Sequence, residues 1–167
     1  MGRRPNAKGM ARLPADGLVG HSGHLVALVA DPKDRLPFYQ EVFGRERVYL
    51  ELHDHLGPSD RGRNQVLLDL ATEHHAPLVI TNEVFYATQD GHRLHDVITA
   101  IRHRTTLDEA YRYLHGNTEH ALKSGRELRQ VFSRYPAAVV EEGMRNAGEI
   151  AGRCQFSFDL VGARFPG

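Results

Sequence analysis

The chain has 167 residues, enough for one domain with a real core and too few for two of ordinary size. Apolar residues make up 41% and charged residues 25%, which excludes disorder as its main content. Lysine plus arginine and aspartate plus glutamate balance at 21 each, so no global positive field draws the chain to nucleic acid or to an anionic membrane.

In chain order, "MGRRPNAKGMARL" at 1–13 lacks the apolar segment of a secretory signal. "LVALVA" at 25–30, "RVYLEL" at 47–52 and "PLVIT" at 77–81 are short apolar runs that read as buried strands. "DPKDRLPFYQEVFG" and "PSDRGRNQVLLDLATEHH" between them have helical character. In the second, Val66, Leu67, Leu70 and Ala71 recur at helical spacing, and Ser59 or Asp60 is placed to cap its start. Strand alternating with helix predicts parallel strands joined by crossovers, an α/β sheet or a barrel sector. Its working face is the carboxyl end of the strands, where "ELHDH" and "TNEVFY" would emerge together.

From about residue 90 the pattern turns helical. "GHRLHDVITAIRH" sets Leu94, Val97, Ile98 and Ile101 on one stripe, and "TTLDEAYRYLH" starts with a threonine cap and sets Leu107, Tyr111 and Leu114 on another. "SGRELRQVFSRYP" and "AAVVEEGMRNAGEIAGRC" predict two more helices separated by Pro136, with Ser124 and Glu127 as a capping box. "QFSFDLVGARFPG" closes on Pro-Gly with no cap, as a chain cut inside a longer protein would.

Strand alternation puts Glu51, His53 and His55 on one face, with Asp54 between the histidines. Imidazole and carboxylate suit zinc, manganese or iron; a polar loop at a strand end explains the same residues. In "TNEVFY" Glu83 is the one candidate ligand or base, and a carboxylate bonded to loop amides is its alternative. His92, His95 and His103 lack an acidic partner at metalloprotease spacing and read as solvent-facing or first-turn residues, as do most of the eleven histidines. No phosphate loop or nucleophile elbow occurs. Arg102, Arg104, Arg112 and Arg126 are dispersed among acids and read as solvated helix faces. The single cysteine, Cys154, permits no internal disulfide and is expected to be a buried thiol in a reducing cytoplasm. No apolar run reaches the roughly 18 residues of a membrane span.

The stretches at 51–71, 78–110, 122–139 and 147–159 occur in an order and spacing that resembles the alpha subunit of bacterial DNA polymerase III. They match the later part of its polymerase-and-histidinol-phosphatase (PHP) domain and the helical segment leading toward the palm. "KGMARLPADGLVGHSGHLVALVA" resembles the stretch before and through a barrel strand of that family, and "RLHDVITAIRHRTTLDEA" leans toward its error-prone branch. The resemblance implies a partial PHP-type β/α barrel over residues 1–89 and a helical segment over 90–167. The early HxH ligands and the polymerase palm, with its magnesium-binding aspartates, are expected outside this chain. The family's third loop reads TNDVHY, with Asp and His as ligands, where this chain has Glu83 and Phe85. His55 falls on a family histidine, and Asp31 stands near the family's Ser-Gly-Cys turn. The implied site, drawn from Asp31, Glu51, His53, His55 and Glu83, would hold zinc or manganese. DNA would be met through domains beyond the chain, with other replication or translesion proteins as partners and no membrane. Three roles follow: a PHP scaffold for a polymerase, a metal-dependent phosphoesterase or 3′ to 5′ exonuclease, or an unclosed barrel that aggregates.

Overall fold

The computed structural model describes residues 15–32 and 35–155. The stretch read for a signal, 1–13, and the closing segment from residue 156 onward lie outside the described residues.

The first half alternates strand and helix. It runs β1 (Ala27–Val29), α1 (Leu36–Phe43), β2 (Val48–Leu52), α2 (Asp60–His74) and β3 (Leu78–Ile80). The strands form one open parallel sheet in the order β1-β2-β3, with Ala27 beside Val48 and Leu50 beside Leu78. The protein is therefore α/β, a sector of a β/α barrel followed by a helical segment. Leu78, Val79 and Ile80 are all buried, as a parallel strand covered on both sides requires.

Helix α1 carries a proline in its first turn and ends at Gly44, whose φ of 84° only glycine adopts without strain. At the start of α2, Ser59 makes no capping bond. Asp60 instead accepts the backbone N–H groups of His55 and Gly57, folding the incoming loop onto the helix start. Of the four apolar residues expected on the α2 face, Leu67 is buried and Leu70 and Ala71 pack partly against the core. Val66 faces solvent.

The second half contains α3 (Gly91–His103), α4 (Gly125–Val131) and α5 (Ala137–Arg153). The helix expected over "TTLDEAYRYLH" contracts to a 3-10 turn at Ala110–Tyr113, with Leu107 and Tyr111 exposed. Thr106 still accepts the Glu109 N–H, but its apolar residues find no surface to cover, and so short a segment does not hold an α-helix on propensity alone. The Ser124–Glu127 capping box is formed in both directions at the start of α4, and Pro136 opens α5.

Helix α5 completes the core. Leu50, Leu52 and Ile80 of the sheet share one apolar cluster with Leu67 of α2, Phe132, Tyr135 and Val140. Gly143 lets α5 come close to β3, because a Cβ there would lie 2.7 Å from Ile80 Cγ1. Pro77 and Thr81 bond to β2, so the alternate residue Leu78 turns its peptide groups outward. Glu142 accepts its N–H at 3.1 Å and Asn146 donates to its carbonyl at 2.7 Å. Cys154, expected to be buried, is exposed because it sits at the C-terminal cap of α5, beyond the face formed by Val140, Gly143 and Asn146. No helix among the described residues is long and apolar enough to cross a membrane.

Candidate metal centre

The loops that leave β2 and β3 meet at the carboxyl end of the sheet. Past Leu52 the chain leaves the strand, and His53 and His55 turn to one side while Asp54 turns to Arg134 and Tyr135. Ligand atoms of His53, His55 and Glu83 all lie within 4.8 Å of one another. His53 Nε2 is 3.8 Å from Glu83 Oε2. Glu83 reaches this position from a left-handed backbone with φ of 44°, a conformation uncommon outside glycine and often found at functional sites.

Asp54 anchors the arrangement from behind. Its carboxylate is fully buried and is held by Arg134 through both oxygens, by the Tyr135 hydroxyl at 2.6 Å and by the Leu56 N–H at 2.8 Å. Burial pushes this carboxyl up, but the bonds from Arg134 and Tyr135 outweigh it and hold it below the usual carboxylate range. Asn64 donates both to Tyr135 and to the His53 carbonyl, and Arg63 donates to the same carbonyl. The backbone between the two histidines is thus fixed from α2 and from the turn before α5.

A third segment, residues 115–123, covers the site. His120 stacks on His55 with ring centroids 3.7 Å apart, and His115 lies 3.9 Å from His120. Asn82 is the tie: its carbonyl faces His55 Nε2 at 2.9 Å, and its amide donates to the carbonyls of Ala121 and Glu119. Asn117 donates to the His55 carbonyl at 2.6 Å. A cleft of about 430 Å³ opens between these imidazoles and the loop at 56–60. Burial lowers the pKa of His53, with the Arg63 charge adding to it. Burial likewise lowers His115, helped by His120 and His95, and it lowers His120 against the opposing bond to the Glu83 carbonyl. These rings are neutral near pH 7 and offer electron pairs rather than charge.

The other residues named from sequence fall elsewhere. Glu51 accepts a hydrogen bond from Thr81 Oγ1 at 2.7 Å and is not among the three convergent ligands. Asp31 follows β1, is itself exposed and is also outside that group. Phe85 stands about 5 Å, ring to ring, from His95, His115 and His120. His92 lies in the first turn of α3, one of the two placements expected for it, and His95 lies beyond that turn; both are half-buried. His92 pairs with Asp96 and the His115 carbonyl, and His95 packs on Phe85, Tyr86 and His115. His103 is exposed and stacks on Tyr113. Sequence reasoning missed Asn82, His115, Asn117 and His120. The signal available was the polar string "HGNTEH" just before the capping box, where no helical or strand period explains the histidines.

No family model matches the chain. It is 33% identical to error-prone DNA polymerase 1 of Agrobacterium fabrum over 172 residues, covering 99% of this chain and 15% of the relative. Along nearly all of its length this chain is thus similar to one part of an error-prone DNA polymerase. An error-prone DNA polymerase of Bradyrhizobium diazoefficiens is 39% identical over 107 residues, 64% of this chain, and that of Pseudomonas fluorescens 32% identical over 147 residues, 86% of it. The chain spans only 15%, 9% and 14% of the lengths of these three error-prone polymerases.

Proposed function

We propose that this chain is the PHP-type portion of an error-prone DNA polymerase, buttressing the polymerase domain of the intact enzyme and holding a divalent cation at His53, His55 and Glu83. The observation that carries it is the convergence of two imidazoles and a carboxylate from the ends of adjacent parallel strands. The similarity to error-prone polymerases over nearly the whole chain supplies the context. In this reading residues 1–89 are the barrel sector and 90–167 the helical segment leading onward. Nucleotide transfer, its magnesium ions and the grip on DNA belong to other parts of the intact subunit.

The residues fit a borderline cation. His55 faces the Asn82 carbonyl through Nε2, which fixes Nε2 as the protonated nitrogen and leaves Nδ1 as the donor of an electron pair. His53 keeps Nδ1 buried without a hydrogen-bond partner among the described residues, an unsatisfied ring nitrogen of the kind found where an ion or water binds. Two nitrogens and one oxygen suit zinc or manganese, and three protein ligands leave a coordination position for another molecule. Bound there, such an ion would supply a Lewis acid and a water of lowered pKa. That incomplete ligand count also favours a second reading, a phosphoesterase or 3′ to 5′ exonuclease, in which His120 and His115 line the approach.

Metal content of the purified chain after zinc or manganese loading and dialysis tests the proposal. One equivalent is expected, lost in His53→Ala and in Glu83→Ala and kept in Glu51→Ala. A metal-free wild type would remove the cation site and leave the buttressing role. Hydrolysis of a phosphodiester reporter that follows metal content would favour the second reading. No labelled nucleotide should be incorporated on a primed template by this chain alone; incorporation would overturn the assignment of polymerase chemistry to other domains.

A further inference from the structure

Convergent side chains hold an ion well only when each is fixed in direction by the groups behind it. His53 is fixed through its carbonyl, which accepts from Arg63 and Asn64. Glu83 and His55 are fixed from the segment at 115–123, and His120 reaches both of them. Its Nδ1 lies 3.0 Å from the Glu83 carbonyl oxygen, and a carbonyl only accepts, so Nδ1 carries the proton. The carbonyl of His120 accepts the Phe85 N–H at 3.0 Å, so one residue brackets the turn at 83–85 with both its side chain and its backbone. Its ring, buried, lies on His55 at 3.7 Å between centroids. On the other side of that stack Asn117 donates to the His55 carbonyl at 2.6 Å.

The turn at Glu83 needs such a grip. A left-handed backbone is one that a residue with a Cβ leaves when nothing holds it. Packing alone does not call for an imidazole at position 120, since a phenyl ring would fill the same stack and leave the Glu83 carbonyl without its donor. On the reading that His53, His55 and Glu83 are the cation's ligands, we propose that His120 and Asn117 are positioning residues for it, His120 aiming the Glu83 carboxylate and Asn117 the His55 imidazole. Neither belongs to the convergent group itself. Both act by holding ligands in their bound directions before the ion arrives, so their loss weakens binding without removing a ligand.

Cobalt(II) is titrated into the full chain and into His120→Phe, His120→Asn and Asn117→Ala, with affinity read from the visible absorption of the bound ion and folding from the metal-free thermal midpoint. His120→Phe keeps a flat ring and removes the donor, whereas His120→Asn keeps an N–H near the place of Nδ1 and removes the ring. His120→Phe and Asn117→Ala should each bind at least about tenfold more weakly, and His120→Asn should stay within about threefold of wild type. Wild-type affinity in His120→Phe or in Asn117→Ala would overturn the inference and leave the cation site standing. An equal loss in folded His120→Phe and His120→Asn would overturn it too, by assigning the effect to ring packing. If His120→Phe does not fold, His120→Asn and Asn117→Ala carry the comparison, and a tenfold loss in the first or none in the second overturns the inference. A wild type that takes up no cobalt would overturn the cation site, and this inference with it.

Discussion

Helices α3 and α5 both follow the last strand and both are amphipathic, yet they meet the rest of the protein in opposite ways. Helix α5 puts Val140, Gly143 and Asn146 against β3, filling space with one apolar residue, one missing side chain and one amide that bonds to the strand. Helix α3 buries Ala100 and half-buries His92, His95 and Asp96, leaving four aliphatic side chains in water. What separates them is not hydrophobicity but what each neighbour presents. The edge of β3 needs hydrogen-bonding side chains and close approach, and the ring cluster beside Phe85 accepts flat polar rings.

That contrast can be broken by substitution. The largest effect is expected on the anchor that joins the sheet to the turn before α5. Arg134→Met leaves the fully buried Asp54 carboxylate without its cation and should cost about 3 kcal/mol or more in urea denaturation. The same anchor has a pH signature. Asp54 has a lower pKa folded than unfolded, so its stabilisation is complete above the unfolded value of about 3.9 and is lost as pH falls through the folded one. The stability gap between wild type and Asp54→Asn should therefore be constant near pH 6 and narrow toward pH 3.

Gly143→Ala comes next. Its methyl group would meet Ile80 Cγ1 at 2.7 Å and the Ile80 backbone nitrogen at 3.2 Å, so α5 must move off β3 at about 1–3 kcal/mol. Ser124→Ala removes half of a capping box and should lower stability by about 1 kcal/mol, read from the thermal midpoint. Ile98→Asp, placed on the outer stripe of α3, should change stability by no more than about 0.5 kcal/mol. A loss of several kcal/mol there would mean that α3 is packed in solution in a way its exposure denies.

Much of this contrast was legible in the residues, and the remainder was not for identifiable reasons. The three strands announced themselves through short apolar runs, and Ser124 with Glu127 through a local rule that depends on four consecutive residues. The order of strand and helix placed "ELHDH" and "TNEVFY" at the same end of the sheet, which brought His53, His55 and Glu83 together. Periodicity found the stripe on α3 but carries no information about which way a stripe points, and that is set by neighbours distant in sequence. His115 and His120 escaped because they sit on irregular backbone and reach the site through contacts distant in sequence, among them the Asn82 amide to the Ala121 carbonyl, which spans 39 residues. Asp54 was visible as one polar residue among several, whereas its partner Arg134 lies 80 residues away and follows no pattern that links the two.

The side chains that α5 lends to β3 also give the sheet a direction of growth. With the Leu78 N–H taken by Glu142 and its carbonyl by Asn146, a further strand cannot pair at that margin without displacing the helix. Growth of the sheet is thereby turned away from β3, whose margin at Leu78 the helix already occupies.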